Sequence, residues 1–308
     1  MSKPAPKSGT EVASTDMPEE GRPPRLTAGL ARMRRFLRDP MAATGLVLVV
    51  CMVSASLFAG LIAPYDPIAI APLNRLLPPS ADHFLGTDQL GRDLLSRVLY
   101  GGRVALQIAF VCIGSALLIG VTLGMLAGYG PRWLDNSLLL LFDVVRSFPV
   151  VILALVMITL TGPSLGTVIG VIIVGKIPNY ARIVRAQTQA IRNATFILAE
   201  QSMGISLPRI LFIHVLPNVI GPVLILASMD VPVVVTIEAG LSFLGLGVRP
   251  PDPSWGTILN DGFSFIQVTV WPIVAGSLPL IAVTLGFTFL GEALRDEFDP
   301  KTRVGNEG

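Results

Sequence analysis

Long apolar runs, separated by shorter polar segments, are the dominant pattern of this chain. The first run covers residues 41–63, and its 23 residues are enough to cross a hydrocarbon core about 30 Å thick. Five further runs of this kind lie at 104–129, 138–161, 164–180, 219–243 and 271–293. Lys176 and Pro178 interrupt the end of the fourth run, so its boundary is the least regular. The pattern predicts an all-α membrane protein with six transmembrane helices.

The polar segments between the runs divide the chain into five parts. Residues 1–30 are rich in Pro, Ser, Glu and Lys and poor in aromatics, which is typical of a disordered tail. The division predicts a cytoplasmic tail with a basic juxtamembrane segment, a first transmembrane helix, a periplasmic segment, a five-helix core and a second cytoplasmic tail. These parts cover residues 1–40, 41–63, 64–103, 104–295 and 296–308, and the core contains a cytoplasmic loop at 181–218.

A cleaved signal peptide is the alternative explanation of the first run. Forty residues precede the run, however, and it is longer than the usual apolar region of a signal peptide. We therefore expect a retained transmembrane helix.

Positive charges beside the runs predict the orientation, because the cytoplasmic flanks of membrane helices carry an excess of Lys and Arg. Four arginines precede the first run: Arg32, Arg34, Arg35 and Arg38. The loop at 181–218 contains one acid, Glu200, and four arginines: Arg182, Arg185, Arg192 and Arg209. The segment 64–103 instead balances its four arginines with four aspartates. Both termini are therefore predicted to be cytoplasmic.

Composition narrows the class of protein. The chain is 52% hydrophobic and 14% charged, with a mean hydropathy of +0.67, whereas soluble domains carry about 25% charged residues. A net charge of +2 is too small to indicate a nucleic-acid partner, so the lipid bilayer is the expected surrounding. Cys51 and Cys112 lie in apolar runs and are expected to be buried free thiols. His83 and His214 lack companion ligands, so no metal site is expected.

One apparent nucleotide-binding motif fails on chemical grounds. Gly170–Lys176 fits the pattern G-x-x-x-x-G-K, but Ile177 stands where a magnesium-binding hydroxyl is required. The β-branched residues inside the motif suit a lipid-embedded helix better than a loop of exposed amides. We therefore expect no nucleotide site and no catalytic residue, and the chain is not expected to be an enzyme.

A polar stretch between the fourth and fifth runs, Phe196–Asn218, is here named the inner bend. Its first eight residues are expected to form two turns of helix, and Gly204 is suited to the left-handed conformation that ends a helix. Ser206 is expected to cap a second helix, which Leu216-Pro217 is expected to stop. An ordinary helix-turn-helix loop is the alternative.

The most distinctive motif is the segment LGTDQLGRDLLSR at Leu85–Arg97, here named the outer signature. Thr87 is expected to cap a helix that has Asp88 in its first turn. Two aspartate–arginine pairs with a spacing of four residues, Asp88/Arg92 and Asp93/Arg97, then lie on adjacent strips of that helix. A capped surface helix without a further role is the alternative. The signature positions are Gly86, Thr87, Asp88, Gly91, Arg92, Asp93, Ser96 and Arg97.

A second outer stretch, LSFLGLGVRPPDPSWGTI at Leu241–Ile258, ends the fifth run with glycines and continues as a proline-rich loop. The prolines stiffen this connection, and Trp255 is expected at the membrane interface. The stretch is suited to receive a partner, and an ordered connector is the alternative.

Four motifs occur in an order that resembles one family. They are the outer signature, the inner bend, LSFLGLG with the following SWG, and LRDEFDP at Leu294–Pro300. The inner bend is similar to the ABC importer pattern EAA, three residues, Gly, nine residues and I-x-L-P, with three positions substituted. The residues at the positions of this pattern are Leu198, Ala199, Glu200, Gly204, His214, Leu216 and Pro217, of which Leu198, Glu200 and His214 are the substituted ones. Over residues 35–303 the chain resembles the C-type permease subunit of dipeptide, oligopeptide and nickel ABC importers.

The resemblance implies the type I (MetI-like) importer permease fold, with this chain forming half of a translocation channel in the bacterial inner membrane. The implied partners are a homologous B-type permease, two cytoplasmic ABC ATPases and a periplasmic or extracytoplasmic solute-binding protein. ATP and Mg²⁺ belong to the ATPases, and no cofactor is expected on this chain. The implied solute is a short peptide or a related solute such as nickel. The alternative is a secondary transporter or channel that works without ATPases.

Asp230 is the least expected residue for its position, about 12 residues into the fifth run. An acid deep in a membrane costs about 2.5–3.5 kcal/mol on insertion, so it usually faces a bundle interior or a wet cavity. Glu238 lies two helical turns outward at nearly the same angular position. We hypothesise that both acids line the translocation path, or that Asp230 pairs with a basic group of the partner permease. An acid hydrogen-bonded inside its own bundle is the alternative.

Overall fold

A computed structural model describes residues 38–162 and 164–298 of the chain as a helical bundle. Within these ranges, nine helices have eight or more residues: α1 (Pro40–Leu57), α2 (Leu94–Tyr129), α3 (Arg132–Arg146), α4 (Val150–Thr161), α5 (Leu165–Ile191), α6 (Thr195–Ser202), α7 (Leu216–Phe243), α8 (Trp255–Phe263) and α9 (Trp271–Phe298). Shorter segments are Ala59–Ile62, the 3₁₀ turn Pro72–Asn74, Leu207–Arg209 and the π-helix Ile210–Val215. The described β structure is one isolated bridge, so the all-α prediction is confirmed.

Five helical segments are long and apolar enough to cross a membrane: α1, α2, α5, α7 with the turns that lead into it, and α9. The pair α3–α4 is the sixth candidate, but an 88° bend separates its two helices. The prediction of one continuous transmembrane helix at 138–161 is therefore wrong, because this segment contains parts of two helices that meet at a sharp bend. Pro149 stands at the N-terminal cap of α4, and a proline disfavours helical dihedrals in the residue before it.

Several boundaries differ from those of the apolar runs. α2 begins at Leu94, so part of the predicted outer segment 64–103 is helical. α5 continues through Pro178 to Ile191, beyond the predicted end at 180. The predicted tail at 1–40 lies almost entirely outside the described residues, as do the arginines before Arg38 and the tail after residue 298.

A stripe of small residues brings α2 close to α5. Gly120, Gly124 and Gly128 recur every fourth residue of α2, a pattern that predicts close packing of membrane helices. A Cβ placed on Gly124 would stand 2.5 Å from the carbonyl oxygen of Ala181, and the other two glycines face α5 as closely. The predicted packing role is confirmed, and it makes α2 and α5 the central pair of the bundle.

The first span packs on the last. A Cβ on Gly45 of α1 would stand 2.7 Å from the amide nitrogen of Leu290 in α9, so the two backbones are in direct contact. α7 lies between α2 and α9 and also touches α5. The buried apolar side chains of these helices form one continuous core, which includes residues of α5 and α7, the two helices that flank the inner bend.

Candidate functional site

The first half of the inner bend is a short helix that ends at a left-handed glycine. α6 follows α5 after three residues and ends at Ser202. Gly204 has a φ of 74°, and the amide of Ile205 donates to the carbonyl of Glu200 at 3.1 Å. This is the hydrogen-bond pattern of a Schellman helix end. The predicted helix and its left-handed stop are confirmed.

The second half of the inner bend runs into α7 without a stop. Ser206 occupies the cap position, but its side chain makes no capping hydrogen bond. The chain then passes through the π-helix Ile210–Val215 directly into α7. The predicted stop at Leu216-Pro217 is therefore wrong. Pro217 lies in the first turn of α7, and the wider turn of the π-helix before it accommodates a ring that donates no hydrogen bond.

A side-chain contact between His214 and Glu200 closes the inner bend on its buried side. His214 Nδ1 lies 2.8 Å from Glu200 Oε1, and Glu200 is buried. The pair joins α6 to the π-helix that continues as α7. The sequence pattern placed both residues in the bend but did not reveal their contact, because the break at Gly204 removes any common helical register.

The opposite face of the inner bend is apolar and exposed. Its exposed apolar side chains are Phe196, Leu198, Met203, Leu207, Phe212 and Ile213. Ala199 is exposed beside Leu198, so another protein can approach the backbone of α6 closely. Several exposed apolar side chains on one helical elbow are typical of a protein-docking surface.

The outer signature is a loop up to Asp93 and becomes helical only at Leu94, whereas the prediction placed the helix start at Thr87. Gly91 has a φ of 74°, and a Cβ there would stand 1.8 Å from the carbonyl oxygen of Ala71. This left-handed residue keeps the helix from starting earlier. Asp93 caps α2, since its Oδ2 accepts from the amide and the hydroxyl of Ser96 at 2.8 and 2.7 Å. The predicted cap at Thr87 is wrong.

Thr87 and Gly86 instead fasten the signature to the chain upstream. The Thr87 hydroxyl donates to the carbonyl of Asn74 and accepts from the amide of Leu77 at 2.8 Å. Gly86 has a φ of 78°, and a Cβ there would stand 2.4 Å from the Leu77 carbonyl oxygen. The signature therefore fixes the path of the long connection between α1 and α2.

Four buried or half-buried charges, here named the outer charge cluster, join the signature to α8. Asp88 Oδ2 lies 2.6 Å from Arg92 Nε and 3.4 Å from Arg97 Nε. Asp261 of α8 lies 3.2 Å from Arg92 and 3.7 Å from Arg97. The predicted pair of Asp88 with Arg92 is confirmed. The predicted pair of Arg97 with Asp93 is wrong, because Arg97 turns inward to Asp88 and Asp261.

Trp255 lies inside the outer end of the bundle. It is 1% exposed, and its indole Nε1 donates to the carbonyl of Val98 at 2.9 Å. Ser254 caps α8 in a reciprocal capping box with Thr257. The prediction that Trp255 lies at the membrane interface is wrong, because α8 folds back against α2, α7 and α9.

Asp230 is neutralised within its own subunit. Its Oδ1 accepts from Lys176 Nζ at 2.5 Å, and its Oδ2 accepts from the Tyr180 hydroxyl at 2.7 Å. All three side chains are buried between α5 and α7. The basic partner is therefore Lys176 of this chain, and the alternative of an acid bonded inside its own bundle is the one observed. Lys176 is also the residue that ends the rejected nucleotide motif, which is helical throughout.

Glu238 is fully buried and accepts a hydrogen bond from Ser242 Oγ at 2.6 Å. A carboxylate without exposed surface does not line a path in this conformation. The predicted polar strip from Asp230 to Glu238 along the translocation path is therefore not observed. Both acids lie inside the helix packing of α7.

The cysteines and histidines have separate surroundings. Cys51 is exposed, against the prediction of burial, whereas Cys112 is buried, and both are free thiols. His83 Nδ1 lies 2.9 Å from Asp93, and His214 pairs with Glu200 as described above. Across the residues that the structure describes, no group of three or more His, Cys, Asp or Glu side chains is placed to hold a metal ion.

The bundle, with an elbow between α5 and α7, is similar in fold to a solved importer permease. A solved inward-facing conformation of the MetNI methionine ABC transporter superposes with a TM-score of 0.54 at 21% sequence identity. The match covers 66% of this chain and 96% of the other. The likeness shows a shared fold.

Sequence comparisons give the family. The model described as binding-protein-dependent transport system inner membrane component matches residues 120–304. The model described as N-terminal TM domain of oligopeptide transport permease C matches residues 30–79. The dipeptide transport system permease protein DppC of Alkalihalophilus pseudofirmus is 36% identical over 88% of this chain and 89% of the relative. The chain belongs to the family of binding-protein-dependent transport inner membrane components and is a permease subunit of an ABC importer.

Two further relatives have similar coverage. The glutathione transport system permease protein GsiD of Pectobacterium atrosepticum is 35% identical over 88% of this chain and 90% of the relative. The oligopeptide transport system permease protein OppC of Bacillus subtilis is 34% identical over 88% and 89%. A subunit of this class works with other ABC components, including a permease partner and an ATPase. It is not an enzyme, since ATP hydrolysis belongs to the ATPase subunits, and the ATPase-independent alternative is rejected.

Proposed function

We propose that this chain is one of two permease subunits of a bacterial inner-membrane importer for short peptides. The supporting relatives are named for dipeptide, oligopeptide and glutathione transport, and glutathione is itself a tripeptide. A chain of two or a few amino acids is the chemistry these names share, and it favours peptides over nickel. The proposed partners are a homologous B-type permease, two cytoplasmic ABC ATPases and an extracytoplasmic solute-binding protein.

The exposed apolar face of the inner bend is the observation that carries the mechanism. α6 is joined to α5 by three residues, and the Glu200–His214 pair joins it to α7. An ATPase docked on α6 therefore moves two spans at once. In the proposed cycle, ATP-driven closure of the ATPases tilts α5 and α7 and converts an inward-facing channel to an outward-facing one. ATP and Mg²⁺ are used by the ATPases, and this chain binds no cofactor.

Both termini are proposed to be cytoplasmic, and cysteine labelling checks this topology. In a background with Cys51 and Cys112 replaced by serine, Ser80→Cys and Asp252→Cys are expected to react with a membrane-impermeant thiol reagent in intact spheroplasts. Ser206→Cys is expected to react only after the membrane is opened. All three positions are exposed, so a difference in labelling reports the side of the membrane. Labelling of position 206 from outside would contradict the topology.

Uptake in cells checks the proposed solute. Cells that lack this chain are expected to lose more than 90% of their uptake of a radiolabelled dipeptide at low concentration and to keep their uptake of nickel-63. Expression of the chain from a plasmid is expected to restore dipeptide uptake. Loss of nickel uptake with unchanged dipeptide uptake would overturn the peptide proposal and leave the permease class intact.

A further inference from the structure

An open, partly polar surface pocket of about 420 Å³ lies where the inner ends of α2 and α5 meet the starts of α3 and α6. Its polar lining consists of Tyr129, Arg132, Arg192, Asn193 and Gln201. The volume is within the range of small-molecule binding pockets. We name it the inner cavity.

Its two arginines have no carboxylate partner among the described residues. Arg132 makes no ion pair there, and Arg192 makes a single long hydrogen bond, at 3.4 Å, to the carbonyl of Gly128. Arg192 interacts with Asp135 through charge alone, and the carboxylate of Asp135 is already bound by Arg185 and Gln189. The inner cavity therefore presents two positive charges that are not neutralised locally, together with the polar groups of its other lining residues.

We infer from its surroundings that the inner cavity lies at the level of lipid headgroups. It lies at the ends of two membrane spans, α2 and α5. Trp133, adjacent to Arg132, is 69% exposed, and tryptophan is enriched at the interface between membrane and water. Leu140, Leu141 and Val144 of α3 are also exposed, so the same helix presents an apolar face beyond the cavity.

We propose that the inner cavity binds the phosphate of an anionic phospholipid headgroup from the cytoplasmic leaflet. Guanidinium groups match phosphate oxygens in geometry and charge, and basic pockets between membrane helices on the cytoplasmic side take anionic headgroups. The amide side chains of Asn193 and Gln201 add neutral donors. The choice of leaflet rests on the proposed orientation of the chain, which cysteine labelling tests independently.

The inner cavity also touches the inner bend. Gln201 belongs to α6, and its Nε2 donates to the Tyr129 hydroxyl at the end of α2 at 2.5 Å. A headgroup in the cavity therefore contacts both α6 and the central helix pair. Through this contact, the lipid composition of the membrane bears on the position of the ATPase-docking helix.

Native mass spectrometry of the full chain, purified with its associated subunits in a neutral detergent, tests the proposal. The probes are dioleoyl phosphatidylglycerol and dioleoyl phosphatidylcholine. We expect preferential retention of phosphatidylglycerol by the wild type. Removal of one arginine near a membrane surface weakens binding by roughly fivefold, so Arg132→Gln with Arg192→Gln is expected to weaken it by about 25-fold.

The matched control is Arg146→Gln, an exposed arginine at the other end of α3, which is expected to change retention by less than about twofold. An unchanged phosphatidylglycerol preference in the double variant overturns the proposal, as does an equal loss in the control. Displacement of the lipid by millimolar inorganic phosphate assigns the site to a free anion instead. Loss of ATPase co-purification with unchanged lipid retention assigns the arginines to a protein contact.

Discussion

Asp230→Ala is expected to lower the free energy of unfolding by about 3–5 kcal/mol, the cost of leaving one charge of a buried pair alone. Lys176 Nζ lies 2.5 Å from the carboxylate, and both side chains are buried between α5 and α7. The variant also removes the acceptor of the Tyr180 hydroxyl. The midpoint of thermal unfolding in detergent, followed by size exclusion after heating, is therefore expected to fall clearly below that of the wild type.

The double variant Lys176→Met with Asp230→Asn is the matched control. It removes both charges, keeps an acceptor for Tyr180, and is expected to recover at least half of the lost stability, since a neutral replacement of a buried pair costs little. Equal instability of the single and double variants would contradict the ion-pair account. Peptide uptake separates the roles: uptake retained in the double variant assigns the pair to packing, and uptake lost in a stable double variant assigns the pair a role in transport beyond packing.

Arg97→Met is expected to destabilise the outer end of the chain by about 3–5 kcal/mol. Arg97 is 2% exposed, and its removal leaves the carboxylates of Asp88 and Asp261 with Arg92 as the remaining cation of the outer charge cluster. Because this cluster ties the connection between α1 and α2 to α8, we expect faster proteinase K cleavage between residues 64 and 93 in spheroplasts.

Arg103→Met provides the comparison for that experiment. Arg103 lies on the same helix but is exposed, and its guanidinium donates a hydrogen bond of 3.3 Å to the carbonyl of Leu57. Loss of an exposed charge is expected to cost less than about 1 kcal/mol. Adding Asp88→Asn to Arg97→Met restores the charge balance and is expected to slow the cleavage again. Equal cleavage of the Arg97 and Arg103 variants would show that the buried cluster does not hold the segment.

The features predicted well from sequence are those that local physics determines. Apolar runs of sufficient length give the spans, because a backbone in lipid has to satisfy its hydrogen bonds within a helix. The glycine stripe of α2 gives close packing because it follows the helical repeat. Gly204 gives the left-handed stop because glycine has the least steric cost there.

The errors arose where distant parts of the chain decide the local structure. The outer signature has a helical spacing of charges, yet the left-handed Gly91 packed on Ala71 delays the helix to Leu94, and Asp261 draws Arg97 away from Asp93. Trp255 has a side chain typical of an interface, but its indole finds a buried acceptor on α2. These contacts join residues that are far apart in the chain, so the local sequence does not predict them.

The Lys176–Asp230 pair has a signal in the sequence. One lone base in the fourth run and one lone acid in the fifth are both costly in a membrane, and buried charges of opposite sign usually pair. The Glu200–His214 pair had no comparable signal, because the π-helix and the break at Gly204 shift the register between the two residues.

The central claim is that ATPase action reaches the channel through the inner bend, and Gly204→Val tests it directly. A Cβ at Gly204 would meet no atom within 4 Å, so the cost is conformational: about 1–2 kcal/mol for a left-handed backbone, and more with β-branching. Gly204→Asn is the matched control, since asparagine tolerates this conformation.

The measurement is ATP-driven uptake of a labelled dipeptide into proteoliposomes that contain the purified importer and its binding protein. We expect the Val variant to insert and assemble normally but to lose at least tenfold in uptake rate, with the Asn variant close to wild type. Wild-type uptake and substrate-stimulated ATP hydrolysis in the Val variant would contradict the claim that the inner bend couples ATP hydrolysis to transport.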